Sequence, residues 1–214
     1  MLLGGKYQTY IRKGYGLLIA CGLIILFALI GIEIHNIRNE STSPMRYTTL
    51  LGYFILVFPI LLVIAVKPGN LSTFAAASRG ISTSLTGQDN NLMDVLKSQI
   101  TTEEGFRKLN IKQILVIAKQ EPEKIEGLQI STEGFAYYEP TQPPGSFMLV
   151  RFLITCCAAD ATPLGIEVRT QKTVQFPPDT WVKVQGTAKM ENNKPIITQS
   201  IVTPVSKPSN VYLY

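Results

Sequence analysis

Apolar residues fall along this chain in three regimes. Residues 14–32 form an uncharged run between Lys13 and Glu33, and residues 47–66 form a second between Arg46 and Lys67. As a helix rising 1.5 Å per residue, the first covers roughly 28 Å, about the hydrocarbon thickness of a bilayer. Both runs are therefore expected to span a membrane as a helical hairpin. A signal peptide is the rival for the first run. That run is too long for one, no small-x-small cleavage site follows, and a second run comes close behind. Pro59, inside the second run, favours a kink of the kind neighbouring helices accommodate. Gly14, Gly16, Gly22 and Gly31 show no GxxxG spacing, so a helix-dimer motif is not supported.

The second regime, residues 67–91, is rich in Gly, Ser, Thr and Asn and reads as a linker. Beyond it, Thr101-Thr102-Glu103-Glu104 fits a capping box, with Thr101 as N-cap and Glu104 at N3, and predicts a helix start. Ile111, Ile114, Leu115 and Ala118 recur at helical spacing, which predicts a helix packed on its own domain.

From Ile125 onward the period changes to two. Strands are expected at 128–138, 145–155, 164–170, 181–190 and 195–204, separated by breakers at 139–145, 177–179 and 191–193. Gly186, inside the fourth strand, predicts a bend or bulge. Trp181 is expected in the core rather than as a stacking platform for a base. The expected fold class is a membrane α-helical hairpin plus a mainly β C-terminal domain. That domain is expected to be a small OB-like (oligonucleotide/oligosaccharide-binding) barrel of about five strands with one preceding helix. The domains follow as 1–80, the two spans and juxtamembrane segment; 81–124, linker and helical region; and 125–214, the β-domain.

Charge supports this division. Residues 1–80 hold 7 basic and 2 acidic residues, whereas residues 81–214 hold 13 of each, so the whole net charge of +5 flanks the apolar runs. A neutral domain is a poor nucleic-acid binder, because phosphate neutralisation dominates that affinity. Lys6, Arg12 and Lys13 precede the first run and Lys67 and Arg79 follow the second; only Arg38 and Arg46 lie between them. Positive charges favour the cytoplasmic side, so both termini are expected in the cytoplasm, in a prokaryotic cell membrane. Cys156 and Cys157 then lie in a reducing compartment, where a structural disulfide is not expected.

Little else in the chain carries chemistry. Cys156 and Cys157 close the second predicted strand and are followed by Asp160 and Pro163. Adjacent residues on a strand point to opposite faces, so the thiols converge only if a bulge or turn follows Thr155. Converged, they suit zinc or another thiophilic metal, with Asp160 as a third ligand or as a group orienting a thiol. The plainer alternative makes both cysteines small buried hydrophobes and Asp160 a turn cap. The single histidine, His35, sits beside Glu33 and Glu40 in the expected inter-span loop. A metal or proton role there competes with a solvated interfacial histidine. No P-loop, dinucleotide fingerprint, G-x-S-x-G or H-E-x-x-H occurs. The predicted topology also separates His35 from the thiols, and no enzyme is expected.

Taken together, the two apolar runs, the stretch from Phe147 to Ala161 containing R-F-L-I-T-C-C-A-A-D-A, the Trp181-Val-Lys-Val-Gln-Gly-Thr187 segment and the aromatic end (Tyr212, Tyr214) resemble the YcgQ-like family. Its members are two-span membrane proteins described as permease subunits with a C-terminal domain of unknown function. The resemblance covers nearly the whole chain; Val211 stands where proline would be expected. It implies a polytopic permease as partner and a link to metal or metalloid handling. Arg151, Cys156, Cys157, Asp160 and loop residue His35 match its pattern. The expected function is thus a non-enzymatic accessory subunit of a permease, acting in metal or metalloid transport or its regulation through the cysteine turn. The alternative is a membrane-anchored protein-interaction module with structural cysteines.

Overall fold

The computed structural model describes residues 15–39, 58, 72–84, 101–103, 105–139, 142–171 and 175–214. The expected second span lies outside them apart from Phe58. Helix α1, Gly16–Asn39, has 24 residues. A loop is predicted from Glu33, yet the helix runs on to Asn39. Ile30, Ile34 and Ile37 prolong the helical spacing, and no breaker occurs before Ser41 to Pro44. Its large apolar side chains are exposed around the helix, Leu17 at 77 % and Phe27 at 69 %. Among the described residues no helix is long and apolar enough to cross a membrane. The uncharged part of α1 ends at Ile32, short of the ~20 residues typical of a span. This helix belongs to one compact unit, residues 13–70, and residues 71–214 belong to another.

The second unit is mainly β. Its elements are α2 (Thr73–Arg79), β1 (Thr101–Glu103), β2 (Phe106–Lys108), α3 (Ile111–Gln120), α4 (Pro122–Ile125), β3 (Gln129–Tyr137), β4 (Ser146–Leu153), a 3-10 turn (Ala158–Asp160), β5 (Thr162–Thr170), β6 (Trp181–Glu191) and β7 (Lys194–Pro204). The five long strands fall where the period-two pattern places them. The helix expected to start at Thr101 does not: Thr101–Glu103 is a strand paired antiparallel with Phe106–Lys108. Two β-branched threonines favour the strand. Gly105, at φ +84, allows the tight reversal that a continuing helix would not.

The helix begins instead at Ile111. Asn110 caps it, its side chain accepting from the Gln113 N–H, while Gln113 Oε1 accepts from the Asn110 N–H. Ile111, Ile114, Leu115 and Ala118 are buried as the spacing predicts. They pack with Ile130, Leu149, Ile166 and Val182 in one apolar cluster, each Ile, Leu or Val side chain contributing roughly 1.5–3 kcal/mol.

A second cluster gathers Phe135, Val150, Phe152, Ile154 and Trp181 with Ala76 of α2 and Tyr212. Alternation along β4 sends Phe147 and Leu149 to the first cluster and Met148, Val150 and Phe152 to the second. Phe135 stacks on Phe152 at 5.8 Å and meets Trp181 edge-on at 6.2 Å. Trp181 is 7 % exposed, as expected of a core residue.

The sheet order is β1-β2-β3-β4-β5-β7-β6, with β3 also paired to β6. The β5–β7 pairing is parallel, and the others linking β3 to β7 are antiparallel. The β6–β7 register shifts between Gln185 and Thr187, which puts the bulge at Gly186. A Cβ there would lie 2.8 Å from both Ile197 Cγ2 and the Thr198 carbonyl, so the bulge depends on glycine.

The stretch preceding the sheet is attached to it. Ser82 bridges Leu164 in parallel. Its N–H donates to Pro163 O at 2.8 Å, and its carbonyl accepts from Gly165 N at 3.0 Å.

Candidate functional site

β4 ends at Leu153, and the C-terminal tail prolongs its pairing by one step. Leu213 N donates to Phe152 O and Ile154 N to Leu213 O, each at 2.8 Å. Past Ile154 the chain turns. Three successive N–H groups, of Thr155, Cys156 and Cys157, converge on the Asp160 carboxylate. Oδ1 accepts from Thr155 at 3.0 Å, and Oδ2 accepts from Cys156 at 2.6 Å and Cys157 at 3.4 Å. Asp160 N donates back to Cys157 O at 3.1 Å. Asp160 is thus the cap of its own turn, a role short acidic side chains fill well. Arg79 of α2 donates to Ala161 O and pins the far side of the turn.

The turn meets the condition for convergence. Both thiols are free and half-buried, and Cys156 Sγ lies 3.8 Å from Cys157 Sγ. Hydrogen bonding to Asp160, then to Cys157, pushes the Cys156 thiol up to about 11. Burial alone would raise the Asp160 carboxyl. The Cys156 thiol and the backbone N–H groups outweigh it and hold the carboxyl below its ordinary value.

The other candidates stand apart. Arg151 of β4 has its guanidinium 5.5 Å from the Trp181 ring centre and donates from Nη2 to Asn210 O. Burial lowers its pKa, opposed by the charge of Glu133. It lines a cavity whose walls include neither cysteine. His35 is exposed on α1, in the other compact unit, on a helix rather than in the expected loop. Among the described residues no group of three or more His, Cys, Asp or Glu side chains is arranged to hold a metal ion. Asp160 is committed to backbone N–H groups, which leaves the two thiols as the convergent donors. Arg79, drawn with the membrane part on composition, holds the turn, and Ser82, drawn with the linker, holds the start of β5 that follows it. The Gly-rich pattern of their surroundings carried no sign of it.

Residues 86–214 match the family model described as the DUF1980 C-terminal domain. The chain belongs to the DUF1980 family. The match spans the strands, the thiol turn and the tail of this DUF1980 chain. A crystal structure of a DUF3299 family protein from Pseudomonas aeruginosa is similar at 18 % identity and a TM-score of 0.32, covering 49 % of this chain and 99 % of that one. No functionally curated protein matches at a significant level.

Proposed function

We propose that this DUF1980 chain is a membrane-anchored, non-enzymatic accessory subunit of a polytopic permease. In this reading Cys156 and Cys157 are a two-thiol site for a thiophilic metal such as zinc. One observation carries the reading: the sulfurs stand 3.8 Å apart at a half-buried turn. Two thiolates about 2.3 Å from one tetrahedral zinc ion are separated by about 3.8 Å, so the spacing suits bidentate capture. Asp160 then acts as the group that shapes the turn. The missing ligands would come from the partner.

Further support is less direct. The apolar side chains exposed around α1 suit a lipid or helical environment. The pairings β3–β4–β5–β7–β6–β3 return to their starting strand, which favours an OB-like barrel as the platform. Nucleic-acid binding is disfavoured by the neutral charge of residues 81–214 and by the burial of Trp181. The interaction-module reading, with structural cysteines, gains from Asp160 capping the turn and from the raised Cys156 thiol, which stays protonated near neutrality.

Zinc titration of the purified full-length protein against a competing chelator separates the two readings. Cys156→Ser plus Cys157→Ser is expected to weaken zinc binding at least tenfold. Unchanged zinc binding in that variant, or none in the parent chain together with a membrane partner captured from native membrane, would favour the interaction module.

A further inference from the structure

β3 pairs with β6 from Gln129 to Phe135. On its other side it pairs with β2 as far as Ser131 and with β4 only from Phe135. Among the described residues, Thr132, Glu133 and Gly134 therefore have no strand partner on that side. A cavity of about 210 Å³ occupies this notch, with Lys108, Asn110, Gln113, Thr132, Glu133 and Arg151 in its walls. At roughly 30 Å³ per water it has room for a ligand of a few heavy atoms.

The wall is rich in donors. Arg151 and Lys108 carry donors only. Asn110 and Gln113 have engaged their carboxamide oxygens with each other's backbone N–H groups, at 2.9 and 2.7 Å. Their amide N–H groups are what they have left to offer. Glu133 is the one carboxylate among the described residues of the wall. The first turn of α3 starts at Asn110 and brings the positive end of a ten-residue helix to the same wall. Two polar atoms at this site lack partners among the described residues: Thr132 Oγ1 and Arg151 Nε are both buried without a hydrogen bond. Thr132 itself is only 2 % exposed. Buried polar groups are ordinarily satisfied, and a donor-only guanidinium nitrogen asks for an acceptor.

We propose that this notch binds a small oxyanion, a carboxylate or a phosphate. Arg151 Nε and the Thr132 hydroxyl donate to its oxygens, and the α3 N-terminus supplies the field. The site is independent of the thiol reading, since no cysteine lines the cavity.

The test is calorimetric titration of full-length protein with acetate and, separately, with inorganic phosphate, at ionic strength held constant with chloride. Saturable binding of either anion is expected, with Arg151→Gln and Thr132→Val each weakening it at least fivefold. Acetate alone would mark a carboxylate site and phosphate alone a phosphate site. Thermal unfolding supplies the second readout. In chloride, Thr132→Val should melt at or above the parent temperature, because it removes an unsatisfied hydroxyl, and it should lose the upward shift the anion produces. If neither anion binds, or if both variants keep the parent affinity, the proposal is overturned.

Discussion

Replacing Asp160 by Asn should make Cys156 more reactive. The thiol stands at about 11 against an ordinary value of 9.0, with the hydrogen bond to Asp160 as the largest cause and Cys157 as the next. At pH 8 those values correspond to thiolate fractions of about 10⁻³ and about 10⁻¹, so full release would raise the thiolate about a hundredfold. Intrinsic nucleophilicity falls with pKa at a Brønsted slope of about 0.4–0.5, which leaves a net gain of about ten- to fifteenfold for full release. Cys157 remains in place, so about three- to tenfold faster alkylation is expected. Asn keeps one carbonyl acceptor for the turn and loses the other, so circular dichroism of the variant accompanies the labelling. The assay is iodoacetamide labelling of metal-free full-length protein between pH 7 and 11, with tandem mass spectrometry assigning the label to Cys156 or Cys157. The Cys156 midpoint should lie near 11 in the parent and move down in Asp160→Asn. A parent midpoint at or below 9, or a variant with unchanged rate and midpoint, would refute the coupling.

The sign of the pH dependence follows from the same pair: the raised Cys156 thiol favours the fold below pH 9 and loses that contribution as pH rises toward 11. The lowered Asp160 carboxyl contributes above its ordinary value of 3.8 and is lost as pH falls through its lower folded value; urea unfolding across both windows checks the two directions. Gly186→Ala places a methyl 2.8 Å from the Thr198 carbonyl and should cost about 1–3 kcal/mol in urea unfolding; a neutral result would mean that the bulge relaxes freely. Arg79→Ala removes the donor to Ala161 O and should cost about 1 kcal/mol, with faster amide exchange confined to the thiol turn and to Ser82 and Gly165. If the termini are cytoplasmic, a membrane-impermeant thiol reagent should leave Cys156 and Cys157 unlabelled in intact cells and label them after permeabilisation.

The strands were legible because each is long, alternating and bounded by proline, glycine or asparagine, and their neighbours in space reward the same alternation. The bulge was legible from Gly186 alone. Helix α3 was legible in its body, from Ile111 to Ala118, but its start was misplaced. The Thr101–Glu104 pattern reads as a capping box, but Gly105 and the pairing of Thr101–Glu103 make that stretch a hairpin, and the box forms at Asn110 and Gln113. At the thiol turn the residues were visible but not their convergence, which depends on backbone dihedrals that strand alternation argues against. The holding partners were also out of reach. Arg79 lies 82 positions from Ala161, and Leu213 meets Leu153 only once the tail has folded back. The oxyanion notch had no sequence signal beyond Arg151, because it arises where β2 leaves β3 before β4 arrives.

The pairing scheme also limits how another protein can attach. Each strand from β3 to β7 has at least two hydrogen-bonded neighbours, so none of the five offers a full-length open backbone to an incoming strand. The short β1, at the end of the order, is the remaining edge among the described strands. Recognition of a partner by extending the sheet is thereby confined to short stretches, such as Thr101–Glu103 and Thr132–Gly134 among the described residues, and a larger contact has to be made by turns and side chains.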